Sequence, residues 1–76
     1  MRTWEVLSIA NSAYRLGQAY RDGNIYRHVN KYTFKYAATN CLPDYVTQLP
    51  FETHVWLEKI AKHAFRAGLN SQKVGA

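Results

Sequence analysis

Cysteine is nearly absent from this sequence, proline and glycine are scarce, and acidic residues are outnumbered. Its 76 residues hold one Cys, two Pro, four Gly and five Asp or Glu. With Cys41 alone, no disulfide forms within the chain and no structural zinc site can be built on thiolates. A lone thiol reads as reduced and intracellular, packed as a small hydrophobe. Long apolar runs are missing as well. The stretch MRTWEVLSIANSAY is interrupted by Glu5, Ser8, Asn11 and Ser12, which suits neither a signal-peptide core nor a membrane span. These absences predict a soluble, cytoplasmic protein with no membrane partner.

Patterns that carry chemistry are sparse too. His28, His54 and His63 form no i, i+4 pair, so no helix would offer two imidazoles to one metal. No motif marks a nucleophilic Ser or Cys, and no two helical carboxylates share a face at i+3 or i+4. There is no glycine-rich phosphate loop. The expectation is a protein that is not an enzyme, with no metal, no cofactor and no small-molecule substrate.

What the chain does have is positive charge. Ten Lys and Arg against five Asp and Glu give a net +5 at neutral pH. On so small a domain this favours acidic partners (nucleic acid, an acidic protein face or anionic lipid), unless it serves solubility alone. The margin for folding is thin, because a chain of this length buries only about 60% of the surface its unfolded form exposes.

Helical periodicity dominates the pattern. At about 100° per residue, Val6, Ile9, Ala10, Ala13, Leu16, Gly17 and Tyr20 share one side of a helix over Thr3–Arg21, opposite Glu5, Ser8, Asn11, Arg15 and Gln18. Thr3 suits its N-cap, and Gly23 suits a left-handed stop. Farther on, Ile25, Val29, Tyr32 and Tyr36 recur at helical spacing, with Asn24 as a cap, predicting a helix over residues 25–39. "KYTFKY" also alternates like a half-buried strand, so a strand or hairpin near 25–36 is the alternative. Pro43 and Pro50 bracket a connector with one helical turn at Asp44–Gln48. The last helix starts near Pro50 and carries an apolar stripe of Trp56, Leu57, Ile60, Ala64 and Ala67. Gly68 would end it, with Leu69 folding back on Phe65. Residues 69–76 read as a frayed tail.

The expected fold is therefore a single all-α domain over residues 1–76, with three main helices and a short turn between the second and third. Its expected core is Ile9, Ala13, Leu16, Val29, Tyr32, Trp56, Leu57, Ile60 and Ala64.

Two phrases nearly coincide, IANSAYRLG at Ile9–Gly17 and IAKHAFRAG at Ile60–Gly68. Nothing between them repeats, so similar packing demands explain them better than duplication. Small residues bring helix backbones close, which predicts contact through Ala10, Ala13 and Gly17 on one side and Ala61 and Ala64 on the other. The middle segment would lie across that pair.

Two surfaces are candidates for binding. Arg27, Lys31 and Lys35 recur at i, i+4 and i+8 with no acid between Ile25 and Cys41, and Phe34 flanks them as an anchor or stacking group. Such a stripe follows a phosphate backbone or an acidic protein surface; an ordinary solvated helix face is the plainer reading. The second candidate is Phe51, Val55 and Phe65, which fall off the main stripe of the last helix and form a partner face unless the connector covers them.

The AYRLG and AFRAG endings, on a small basic domain, resemble the short accessory proteins of tailed bacteriophages. That resemblance implies a non-catalytic protein in the host cytoplasm that modulates or inhibits host machinery acting on nucleic acid. It would do so by occupying an acidic surface of a host protein complex. The resemblance carries over no functional residue, and direct DNA or RNA binding through the basic stripe remains the alternative.

Overall fold

A computed structural model describes residues 2–23 and 30–71. Three helices run α1 (Thr3–Asp22), α2 (Lys31–Cys41) and α3 (Phe51–Asn70), with a 3-10 turn at Asp44–Gln48 before the last. Among the described residues there is no strand, and no helix is long and apolar enough to cross a membrane. Asn24, Ile25, Arg27, His28 and Val29, all used in the sequence reading, lie outside the described residues.

The repeated phrase explains the architecture. Gly17 lies against Phe65, Gly68 and Leu69, while Gly68 lies against Tyr14 and Gln18. Each glycine therefore meets the same positions of the opposite phrase. A β-carbon on Gly17 would collide with the Phe65 carbonyl and come within 2.9 Å of the Leu69 nitrogen. One on Gly68 would collide with the Tyr14 carbonyl and reach 3.0 Å from the Gln18 nitrogen. Only hydrogen fits at these positions. The two 20-residue helices thus run parallel and in register about a local twofold along their seam. At the far end the Arg21 guanidinium donates to the carbonyl and hydroxyl oxygens of Ser71 and pairs with Asp22 at 2.9 Å.

Parallel neighbours need a return path, since α1 is about 30 Å long and α3 must start beside its beginning. α2 and the turn supply it. α2 lies antiparallel to the pair on one side, with Phe34 against Phe65 in the second half of α3 and Cys41 beside Ile9 and Ser8 in the first half of α1. It begins at Lys31 rather than residue 25, because the Asn30 side chain accepts from the Tyr32 and Thr33 amides at 2.9 and 3.1 Å. The Thr33 hydroxyl returns a bond to the Asn30 amide and closes a capping box.

The core differs from the expected one. Ile9, Ala13 and Leu57 are buried as expected, and Leu16, Ile60 and Ala64 are half-buried. Tyr32 is 70% exposed and Trp56 52%. Buried in their place are Ala37, Ala38, Val46, Ala61 and Phe65. In α2 the inward positions are Phe34, Ala37, Ala38 and Cys41, a helical stripe whose alanines allow close approach; Tyr32 and Tyr36 keep their hydroxyls in water. In α3 the buried row is Leu57, Ala61, Phe65 and Gly68, one position on from Trp56, Ile60, Ala64 and Ala67. Phe65 decides between the rows. Its ring meets Tyr20 and Phe34 edge to face, with centroids 5.3 and 5.2 Å apart.

The helix ends also depart from expectation. Arg2, not Thr3, occupies the N-cap of α1, and Gly23 closes it at φ −83° rather than in the left-handed region. Gly68 lies inside α3, so Leu69 and Asn70 are helical and not part of a tail, and no Schellman turn forms. Residues 72–76 of the expected tail lie outside the described residues.

Candidate functional site

A basic cleft opens where the first turn of α2 faces the second half of α3. Its walls are Lys31, Phe34, Lys59, Lys62, His63 and Arg66, around a volume of about 310 Å³. The α3 residues fall at i, i+3, i+4 and i+7, so one helix face presents Lys59, Lys62, His63 and Arg66 together. Lys31 approaches from the start of α2, next to the Asn30 cap. Phe34 forms the floor. It is half-buried between the Phe65 ring and the Arg66 guanidinium, which sits 5.2 Å from its centroid.

The charge is largely uncompensated. Lys62 pairs with Glu58 at 3.4 Å, and Glu58 also lies 4.0 Å from His54. Among the described residues no carboxylate comes within ion-pair distance of Lys31, Lys59 or Arg66. Among the described residues three unpaired cations and a fourth paired with Glu58 thus line one concave site, where their potentials add toward an anion.

The predicted stripe is only partly what forms this site. Lys31 and Phe34 line the cleft, Lys35 is exposed one turn farther along α2, and Arg27 lies outside the described residues. Lys31 and Lys35 flank the buried face of α2 rather than opposing it; the outermost ridge is Tyr32 and Tyr36, with the Lys31 Nζ 5.3 Å from the Tyr32 centroid. Phe34 is no free stacking platform, since Arg66 covers it. The basic row of α3 was missed by the sequence reading, although Lys59, Lys62 and Arg66 stand at helical spacing in plain view, with His63 beside them. Only the approach of α2 gives them Lys31 as a fourth member.

The second predicted surface does not form. Phe65 has no exposed surface and is the centre of the core, so it cannot belong to a partner face. Val55 is half-buried, and Phe51 stands alone at 78% exposure.

The chain matches no family model, no curated protein and no solved structure.

A smaller cleft of about 280 Å³ lies at the other end of the molecule, between the start of α1 and the end of α2, lined by Trp4, Ile9, Cys41 and Tyr45 among others. Burial pushes the Cys41 thiol above its ordinary range, which favours its protonated form. The Tyr45 hydroxyl donates to the Glu5 carboxylate, and that bond raises its proton affinity. Among the described residues no three His, Cys, Asp or Glu side chains stand close enough to hold a metal ion.

Proposed function

We propose that this chain is a small, non-catalytic binding protein that seats an acidic feature of a partner protein in the cleft between α2 and α3. The observation that carries this reading is the set Lys31, Lys59, Lys62 and Arg66 converging on one concave site, with a single nearby carboxylate, Glu58. A cleft of about 310 Å³ has room for an acidic side chain or two. The cleft's charge calls for an acidic partner face; that the partner belongs to machinery acting on nucleic acid rests on the phage-accessory resemblance alone. The phage-accessory reading is part of this proposal and rests on the small basic format. The repeated phrases support it less, because helix packing accounts for them.

A second reading, direct binding of DNA or RNA, draws on the exposed Tyr32 and Tyr36 rings beside Lys31 and Lys35. Rings next to cations suit single-stranded bases stacked along a phosphate track. One charge-reversal variant, Lys31→Glu with Lys59→Glu, tests both. Each residue is exposed, so the fold should persist within about 0.5 kcal/mol per site. Labelled single-stranded and duplex oligonucleotides are titrated at about 50 and 200 mM salt, the range over which counterion release shows most clearly. The first reading expects weak oligonucleotide binding and capture of an acidic host protein that the variant loses. Tight oligonucleotide binding that falls steeply with salt and vanishes in the variant would replace it with the second. A folded variant that keeps its partner at full strength would remove the cleft from both.

A further inference from the structure

Glu5 is a half-buried carboxylate without a cation. The other half-buried acid among the described residues, Glu58, has Lys62 and His54 beside it. No described Lys, Arg or His comes within ion-pair distance of Glu5, on a chain that carries ten Lys and Arg. What Glu5 does have is the Tyr45 hydroxyl, which donates to its carboxylate.

This pair stands in the cleft of about 280 Å³ at the opposite end of the molecule from the basic one. Along α1, Glu5, Ser8 and Ser12 follow at i, i+3 and i+7, so one helix face brings a carboxylate and two hydroxyls to the cleft. Neither serine hydroxyl has a hydrogen-bond partner among the described residues. Two rings join these acceptors: Trp4, 62% exposed, and Tyr45, 42% exposed. Arg2 and Arg15, the cations that flank Glu5 along α1, are not part of the lining.

We propose that this cleft binds a small organic monocation, a primary ammonium or guanidinium group carried on a flat apolar body. The lining holds one charged group, and it is negative. Its place in the first turn of α1 favours that negative charge, because the helix start presents unpaired amides. Tryptophan and tyrosine rings attract cations through their electron-rich faces and offer an apolar body a surface to lie on. Ser8 and Ser12 add oxygen lone pairs, which suit a cation with N–H groups better than a quaternary one. The net charge of +5 repels a polybasic chain far more than a single charge, so the ligand is a molecule and not a basic peptide. Size agrees. The cleft falls just below the ~300 Å³ at which drug-sized pockets begin, enough for one ring with a short arm. It shares no residue with the α2/α3 cleft, so neither reading depends on the other.

The probe is 2-phenylethylamine, with 2-phenylethanol as its neutral counterpart, each titrated into the whole chain and followed by backbone amide NMR shifts. The amine should shift the amides of Trp4, Glu5, Ser8, Ser12 and Tyr45. It should bind about 10-fold more tightly than the alcohol, the worth of one charge-assisted contact. Glu5→Gln should erase that advantage and leave the alcohol unchanged. The N-trimethylated amine should bind more weakly than the primary one, having no N–H to give the serines. Equal binding of amine and alcohol overturns the proposal, as do shifts that never saturate or that map elsewhere. A trimethylated amine as tight as the primary one overturns the choice of an N–H cation. A tetralysine peptide that binds more tightly than the amine overturns the choice of a small monocation. If Glu5→Gln fails to fold, the comparison of amine with alcohol on the unaltered chain decides alone.

Discussion

The two sides of the α1/α3 pair are built from equivalent residues and meet opposite fates. One carries Ile9 and Phe65, is packed by α2 and the 3-10 turn, and holds every fully buried large side chain: Phe65, Leu57 and Val46. The other carries Ile60 and Tyr14, both half-buried, with no described helix packed over it. The difference lies in what the rest of the chain places over them. α2 has one apolar stripe, Phe34/Ala37/Ala38/Cys41, and can cover one side only. The aromatic in each phrase matches its place: Phe65 lacks a polar atom and suits full burial, while Tyr14 keeps a hydroxyl for a half-wet face.

Substitutions at three depths sharpen this contrast. The largest effect belongs to the covered side. Phe65→Ala removes the ring on which Tyr20 and Phe34 rest and should cost about 3–5 kcal/mol, enough to leave so small a domain largely unfolded by thermal denaturation. A Phe65→Ala chain melting near wild type would mean that α2 does not pack as described.

The seam comes next. Gly17→Ala and Gly68→Ala each gain about 1 kcal/mol of helix propensity, yet each drives a methyl into the opposing backbone. Overpacking of this kind costs about 1–3 kcal/mol, and the backbone contact puts it at the upper end, so the net loss should be up to about 2 kcal/mol in a denaturant titration. The local twofold adds a sharper demand: the two variants should lose similar amounts. A large inequality would show that the helices do not meet in register.

The smallest effect is on the open side. Trp56→Ala should shift stability by less than about 1 kcal/mol, since half the indole is already in water. If it proves as costly as Phe65→Ala, the assignment of the two sides is reversed.

Much of this contrast was legible beforehand, and the missing part has a physical cause. Helix spacing in α1 and α3 is strong because Ile, Leu and Ala recur over about five turns, which outweighs local ambiguity. The turn at Asp44–Gln48 was readable between its prolines. The start of α2 was not, because Asn24 and Asn30 are equally good caps; the capping box with Thr33 settles the matter at Asn30. The cleft was half-readable. Lys31 and Phe34 stood out in an acid-free stretch, while the α3 cations drew no notice beside an apolar pattern that commanded the reading of that helix.

The sequence by itself determined that α1 and α3 would be helices and that they would touch through glycine and alanine. Identical small residues at identical spacing serve one purpose, the close approach of two backbones. It could not determine which side of that contact would be buried. α3 carries two apolar rows one position apart, Trp56/Ile60/Ala64/Ala67 and Leu57/Ala61/Phe65/Gly68, and periodicity ranks them equally. Only the tertiary structure chose. α2 docks on one side, and a ring at Phe65 wedged between Tyr20 and Phe34 gains more from burial than an indole at Trp56 that stays half exposed among the described residues.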